Sequence, residues 1–328
     1  MSRNNRNRTL TILPSAIFER DWLMESARSA PVFGHRAVSR TKFIKAIQES
    51  VHPEKIWLSE GESLAALAGV VSSYYSANPS APYSGLRHRA GFWNSLQHFL
   101  NECRLACIQE SGLAAILESG GVDDSRAKLL GDLYDAHARK LTELNAITAP
   151  AAESDLAASI RRGFRSASIF EDIDEIEIRG IYDIKPASFE WILELARHKP
   201  TTLYLPLPKD HPRSIRWLEW TYRKFEYLGD EAPDGLTLQS EDLQSDRAMS
   251  ELLPRLFRPL ASLRQEKILP LALGVPLRIL ESDDPPSEMT EVARHVRARL
   301  DEGACARKIA VIVRRPERYP NALDAFES

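Results

Sequence analysis

A break in rhythm constrains this chain more than any other feature. Toward both ends, β-type runs alternate with amphipathic helical runs. Between Ser59 and about Phe170, roughly a hundred residues show helical periodicity and no convincing strand. Strands alternating with helices imply an α/β fold, a parallel sheet covered on both faces. A strand-free block inside that alternation implies a large all-helical insertion after the opening strand–helix units.

The pieces can be placed one by one. TLTIL, Thr9 to Leu13, reads as a strand, and AIFERDW opens the first helix. VSRTKFIKAIQE, Val38 to Glu49, has helical spacing. Ser59 with Glu62 three residues on is a capping-box signature that starts the block. Within the block, 88–108, 111–118 and 124–144 all carry the 3.6-residue period. IDEIEIRGIYD, Ile173 to Asp183, then alternates apolar and charged residues as a strand does. Pro186 suits the first turn of the next helix, and TTLYLPLP, Thr201 to Pro208, reads as another strand. A helix is expected over 215–227. The polar segment Gly229 to Asp246 reads as a loop. Strand, loop and helix follow over Val275 to Gly303, with Gly303 just past the helix end. KIAVIVRRPERYPNALDAF closes with a strand and the start of a helix, so the polypeptide is expected to continue beyond Ser328.

Composition excludes some classes of function. With 43 Lys and Arg against 46 Asp and Glu, the net charge is −3, unlike a protein coated in positive charge. A local basic groove stays open. No apolar run of about 18 residues exists, so no membrane contact is expected. The basic start SRNNRNR is not followed by an apolar signal core, which points to the cytoplasm. Cys103, Cys107 and Cys305 do not have zinc spacing and read as reduced thiols, the first two sharing a helix face.

The first strand-to-helix turn decides the chemistry. A phosphate cradle there needs glycines, so that backbone N–H groups can converge, and a lysine to offset charge. The chain instead reads LPSAIFER, Leu13 to Arg20. Pro14 removes a donor, the side chains after Ser15 crowd the approach, and Glu19 adds charge of the wrong sign. The later strand ends in Gly180-Ile181-Tyr182-Asp183, with one carboxylate where a magnesium-binding pair would belong. No cofactor or metal is expected.

Three segments carry a resemblance. RGIYDIKPASFEWILELA (Arg179 to Ala196), ILESDDPPSEMTEVARHVRARLDEG (Ile279 to Gly303) and KIAVIVRRPERYPNALDAF (Lys308 to Phe326) resemble the N-terminal helicase-like region of AddB-type and RecB-like exonuclease proteins, relatives of UvrD-like superfamily 1 helicases. The resemblance implies a RecA-like sheet of the P-loop NTPase type over 1–58 and 170–270. It also implies a helical insertion over 59–169 and the start of a second RecA-like domain over 271–328. The nucleotide site would be degenerate at Pro14 and Ser15, with Arg314 a relic of the motif IV arginine. The module would then act by contact, with single-stranded DNA and with a downstream nuclease domain or partner helicase-nuclease subunit. GHRAVSRTKF resembles motif Ia, which implies DNA-backbone contact through Arg36, Arg40, Thr41 and Lys42. A second candidate is YSGLRHRAGFW, where Arg87 and Arg89 lie near stackable rings. For each residue the alternative is structural: an ordinary basic helix start, core aromatics, or an ion pair at Arg314. Two other functions stay open, a live DNA-dependent ATPase with a non-standard site and a protein scaffold that never touches DNA.

Overall fold

The computed structural model describes residues 8–29, 34–164, 166–205, 221, 223–225, 227–240, 284–306, 309 and 311. The chain divides into two compact units, 1–243 and 244–328. The first unit opens with β1 (Thr9–Leu13), α1 (Ala16–Ser29), β2 (Arg36–Ser39), α2 (Arg40–Val51) and β3 (Ile56–Trp57). Four helices follow: α3 (Glu60–Ala77), α4 (Ala90–Leu105), α5 (Leu113–Ser119) and α6 (Asp124–Glu143). Then come β4 (Ala146–Ile147), α7 (Ala149–Ser154), α8 (Leu156–Gly163), β5 (Glu175–Ile178), α9 (Pro186–His198), β6 (Thr201–Leu205) and β7 (Leu236–Ser240). In the second unit the described helix is α10 (Pro285–Asp301), with Gly303 just beyond it at φ +91°, as a left-handed helix stop requires.

Five strands form one sheet in the order β2-β1-β5-β6-β7, and every pairing is parallel. All five residues of β1 are buried, as expected of a central strand covered on both faces. Along β5 the faces differ. Ile176 and Ile178 are buried, whereas Glu175 and Glu177 are half-buried on the other side. On that side the Thr9 hydroxyl donates to Glu175 at 2.6 Å and the Tyr204 hydroxyl to Glu177 at 3.1 Å, while the buried Thr11 hydroxyl has no partner among the described residues.

The apolar face carries the main core. Leu10, Ile12, Ile176, Ile178 and Leu203 meet Phe43 and Ile47 of α2 and Trp191 and Leu195 of α9. Trp191 is fully buried, and its ring lies 5.8 Å from that of Phe43. The helical block has a core of its own, built from Leu67, Val71, Tyr75, Leu100, Leu129 and Leu133 of α3, α4 and α6. The expected capping box is present: Glu62 N donates to Ser59 Oγ and Ser59 N to the Glu62 carboxylate.

Several expectations need correction. The second core draws on helices within 60–143, while α7 and α8 place Ala152, Leu156 and Ile160 in the main core. Three short strands lie where none was expected. β4 pairs with β3 as a small separate ladder, and β2 forms where only a helix was read. The segment read as a loop over 229–246 contains β7, whose Leu236 and Leu238 alternate with Thr237 and Gln239 against β6. Cys103 is buried, but Cys107 sits past the end of α4 at φ +57° and is exposed, so the two do not share a helix face. The helix expected over 215–227 lies mostly outside the described residues, as does the strand of Lys308 to Phe326. Among the described residues no helix is long and apolar enough to cross a membrane.

Candidate functional site

The chain leaves β1 for β2 on one side and returns to β5 on the other. At such a reversal the loops beyond the two strand ends diverge and leave a crevice, which is where doubly wound sheets bind ligands. Here the crevice is partly filled from within. The segment after β5 keeps following β1, with Arg179 N donating to Ile12 O at 3.0 Å. Gly180 then turns over Pro14 at φ +74°. A Cβ on Gly180 would stand 2.9 Å from Pro14 Cγ, so only glycine fits against the ring. Pro14 and Gly180 therefore interlock where a glycine-rich turn would otherwise approach phosphate.

The next turn is also occupied. Glu19 N donates to Ser15 O at 3.0 Å and closes the first turn of α1. The Glu19 carboxylate reaches across to the start of α2, accepting from Ser39 N at 3.0 Å and from Lys42 Nζ at 2.8 Å. Burial pushes its pKa up, but Lys42 and the Ser39 N–H outweigh that and hold it below the usual carboxylate range. The negative charge that a helix N-terminus attracts is thus supplied to α2 by Glu19 itself.

What remains is an open cleft of about 450 Å³ whose lining includes Pro14, Arg40, Thr41, Trp57, Glu153 and Lys185. Its two cations are matched. Arg40 Nη2 donates to Glu153 and, at 2.8 Å, to Ser188 Oγ. Glu153, on α7, also accepts from Ser188 Oγ at 2.9 Å and Trp191 Nε1 at 3.3 Å. Lys185 Nζ lies 2.6 and 2.7 Å from the two carboxylate oxygens of Glu102, on α4. A phosphate entering here would meet no unmatched cation and would have to displace a carboxylate.

The structure splits the residues predicted to touch DNA. Arg36 is exposed at the N-terminal end of β2, while Arg40, Thr41 and Lys42 follow its C-terminal end. At the rise of an extended strand, Arg36 and Arg40 stand about 13 Å apart. Thr41 lines the cleft, Arg40 is committed to Glu153, and Lys42 is paired with Glu19. Arg87 and Arg89 belong to the turn between α3 and α4. Arg87 is half-buried and donates to His88 Nε2 at 2.9 Å, and its carbonyl accepts from Trp93 Nε1 at 2.7 Å. Arg89 is exposed. Beside them Tyr83 adopts φ +61° with 40% of its surface open, and the Arg126 guanidinium lies 5.5 Å from its ring centre. Phe92 and Trp93 pack against the helical core. Arg314 lies outside the described residues.

Sequence reasoning flagged Pro14, Glu19 and Gly180, but it missed Glu102, Glu153 and Lys185. Nothing local marks those three. The partners of Glu153 are 113, 35 and 38 residues away, and Glu102 and Lys185 are separated by 83. Among the described residues no group of three or more His, Cys, Asp or Glu side chains could hold a metal ion. In comparison with known proteins, no family model and no curated protein matches this chain.

Proposed function

We propose that this chain is a non-catalytic, helicase-like scaffold module of a DNA-processing exonuclease. In this reading the sheet of the first unit is a RecA-like framework whose nucleotide site has been closed, and the module works by contact with single-stranded DNA and with a nuclease domain or partner subunit. One observation carries the reading. The crevice at the ends of β1 and β5 exists, but Pro14 and Gly180 interlock across its turn, and both cations of its cleft are neutralised by carboxylates. A site built for triphosphate needs free donors and unmatched positive charge there. DNA would be met elsewhere, with Arg36, Arg89 and the half-open ring of Tyr83 the most accessible of the candidate groups.

A second reading, a protein scaffold that never meets DNA, is favoured by α1. Ile17, Phe18 and Met24 are 64%, 56% and 47% exposed and lie within about a third of the helix circumference. Two titrations separate the possibilities. Labelled ATP with magnesium should show no binding in the micromolar range; saturable binding and hydrolysis would establish the live ATPase instead. A fluorescent single-stranded oligonucleotide should bind with an affinity that falls steeply as salt rises. No binding at low salt would leave the protein scaffold standing.

A further inference from the structure

Among the described residues, the helical block holds a buried arginine that is hydrogen-bonded to no carboxylate. Arg104, on α4, is only 5% exposed. Among the described residues its hydrogen-bond partners are Asn101 Oδ1 at 3.4 Å and His137 Nδ1 at 3.1 Å, and its guanidinium lies 5.4 Å from the centre of the Tyr134 ring. An arginine N–H can only donate, so His137 accepts through Nδ1 and carries its proton on Nε2, which is buried without a partner. All three partners are uncharged. A buried guanidinium held by neutral groups alone keeps most of its desolvation cost, because neutral acceptors return much less than a carboxylate does.

Arg104 also forms part of the wall of a cleft of about 240 Å³, together with Cys107, Gln109, Glu110, Tyr134 and Ser154. The cleft lies between the end of α4 with the loop after it, α6 and α7. It is distinct from the one beside Pro14, and the proposed function makes no use of it. Arg104 supplies the single positive charge of its lining. Glu110 shares the wall and acts on Arg104 through its charge without hydrogen-bonding to it, and Glu190 and Glu153 act on the Cys107 thiol. Glu110 limits the ligand's charge: a dianion such as phosphate would be repelled twice over, a monoanion only once.

We propose that this cleft binds a small monocarboxylate, with its carboxylate on the Arg104 guanidinium. Arg104 presents a planar fork of donors that matches the two oxygens of one carboxylate, and the volume admits a molecule of a few heavy atoms. The site would tie α4 and α6 to α7, and so the block's own core to the main core.

Cys107 gives a direct readout, because it lines the cleft and is exposed. Burial, with Glu190 and Glu153 nearby, holds its thiol above the usual range, so the reaction is run at mildly alkaline pH. Uncharged iodoacetamide is applied in sodium acetate, in sodium chloride at equal ionic strength, and in sodium phosphate. Cys305, exposed in the second unit, is the internal control. Acetate is expected to slow alkylation of Cys107 severalfold and leave Cys305 unchanged, while chloride and phosphate do neither. Arg104→Gln should abolish the protection. Should that variant fail to fold, Glu110→Gln, which removes an opposing charge, should lower the half-protecting acetate concentration about fivefold. Equal Cys107 rates in acetate and chloride overturn the proposal. So do protection that survives in Arg104→Gln, an unmoved midpoint in Glu110→Gln, and protection by phosphate equal to that by acetate.

Discussion

Replacing Glu153 with glutamine isolates the charge that neutralises Arg40 in the cleft. The side chain keeps its size and one oxygen that can still accept from Ser188 and Trp191, so those two neutral contacts are largely retained. What is lost is the counter-charge of Arg40, whose side chain is 23% exposed and whose Nε is already buried without a partner. Breaking a fully buried pair costs about 3–5 kcal/mol; partial access of water to Arg40 reduces this to about 2–3 kcal/mol. In a unit of this size each kcal/mol moves the midpoint by about 2–4 °C, so the loss in Tm is about 4–12 °C.

Urea unfolding followed by tryptophan fluorescence is the assay, since Trp191 is buried against Glu153 and reports on that contact. The double variant Arg40→Met with Glu153→Gln removes the orphaned charge and should recover most of the loss. Two results refute the reasoning: a single variant within about 0.5 kcal/mol of the parent, or a double variant no more stable than the single.

Two further predictions concern groups outside that pair. Burial, with Arg104 adding to it, holds the His137 pKa down at about 3, so this ring is neutral when folded while an unfolded one titrates near 6.5. Below pH 6.5 the unfolded chain takes up more protons. The stability that His137 contributes is therefore complete above that pH and is lost as pH falls toward 3, by about 2–3 kcal/mol at pH 4.5; urea midpoints of His137→Gln should show a flatter acid limb. At the turn after β5, Gly180→Ala sets a Cβ against Pro14 at a left-handed backbone angle and should cost at least about 1–2 kcal/mol. Pro14→Ala in the same chain should return part of that, and equal thermal midpoints for the parent and Gly180→Ala would show that the two residues do not interlock.

Much of the fold was legible because its signals are local. The capping box at Ser59, Pro186 at the start of α9 and the long periodic runs of α4 and α6 each depend on residues within a turn or two of one another. β2 was hidden because four residues, with only Ala37 and Val38 apolar, run straight into a strong helix pattern. β7 was hidden because its flanks are polar and its partner β6 lies some 35 residues earlier, a separation that no short window spans. The cleft was half legible. The absence of a glycine-rich turn could be read directly, but the carboxylates that match Arg40 and Lys185 arrive from α7 and α4, and only the folded chain brings them there.

That division bears on what the helical block does for the sheet. Glu102 belongs to a helix that helps build the block's own core, and Lys185 caps the start of α9, which packs on the sheet. Their pair therefore spans the two cores, and Arg40 with Glu153 ties α2 to α7 on the same side of the crevice. In an ATP-driven motor, charge around the nucleotide crevice must be free to respond when nucleotide arrives and leaves. Here one positive group joins the helical block to the framework, the other is used up within the main core, and a proline fills the remaining turn. An arrangement that spends its cations on internal contacts favours one fixed geometry over a cycle, and a fixed geometry is what a module acting by contact requires.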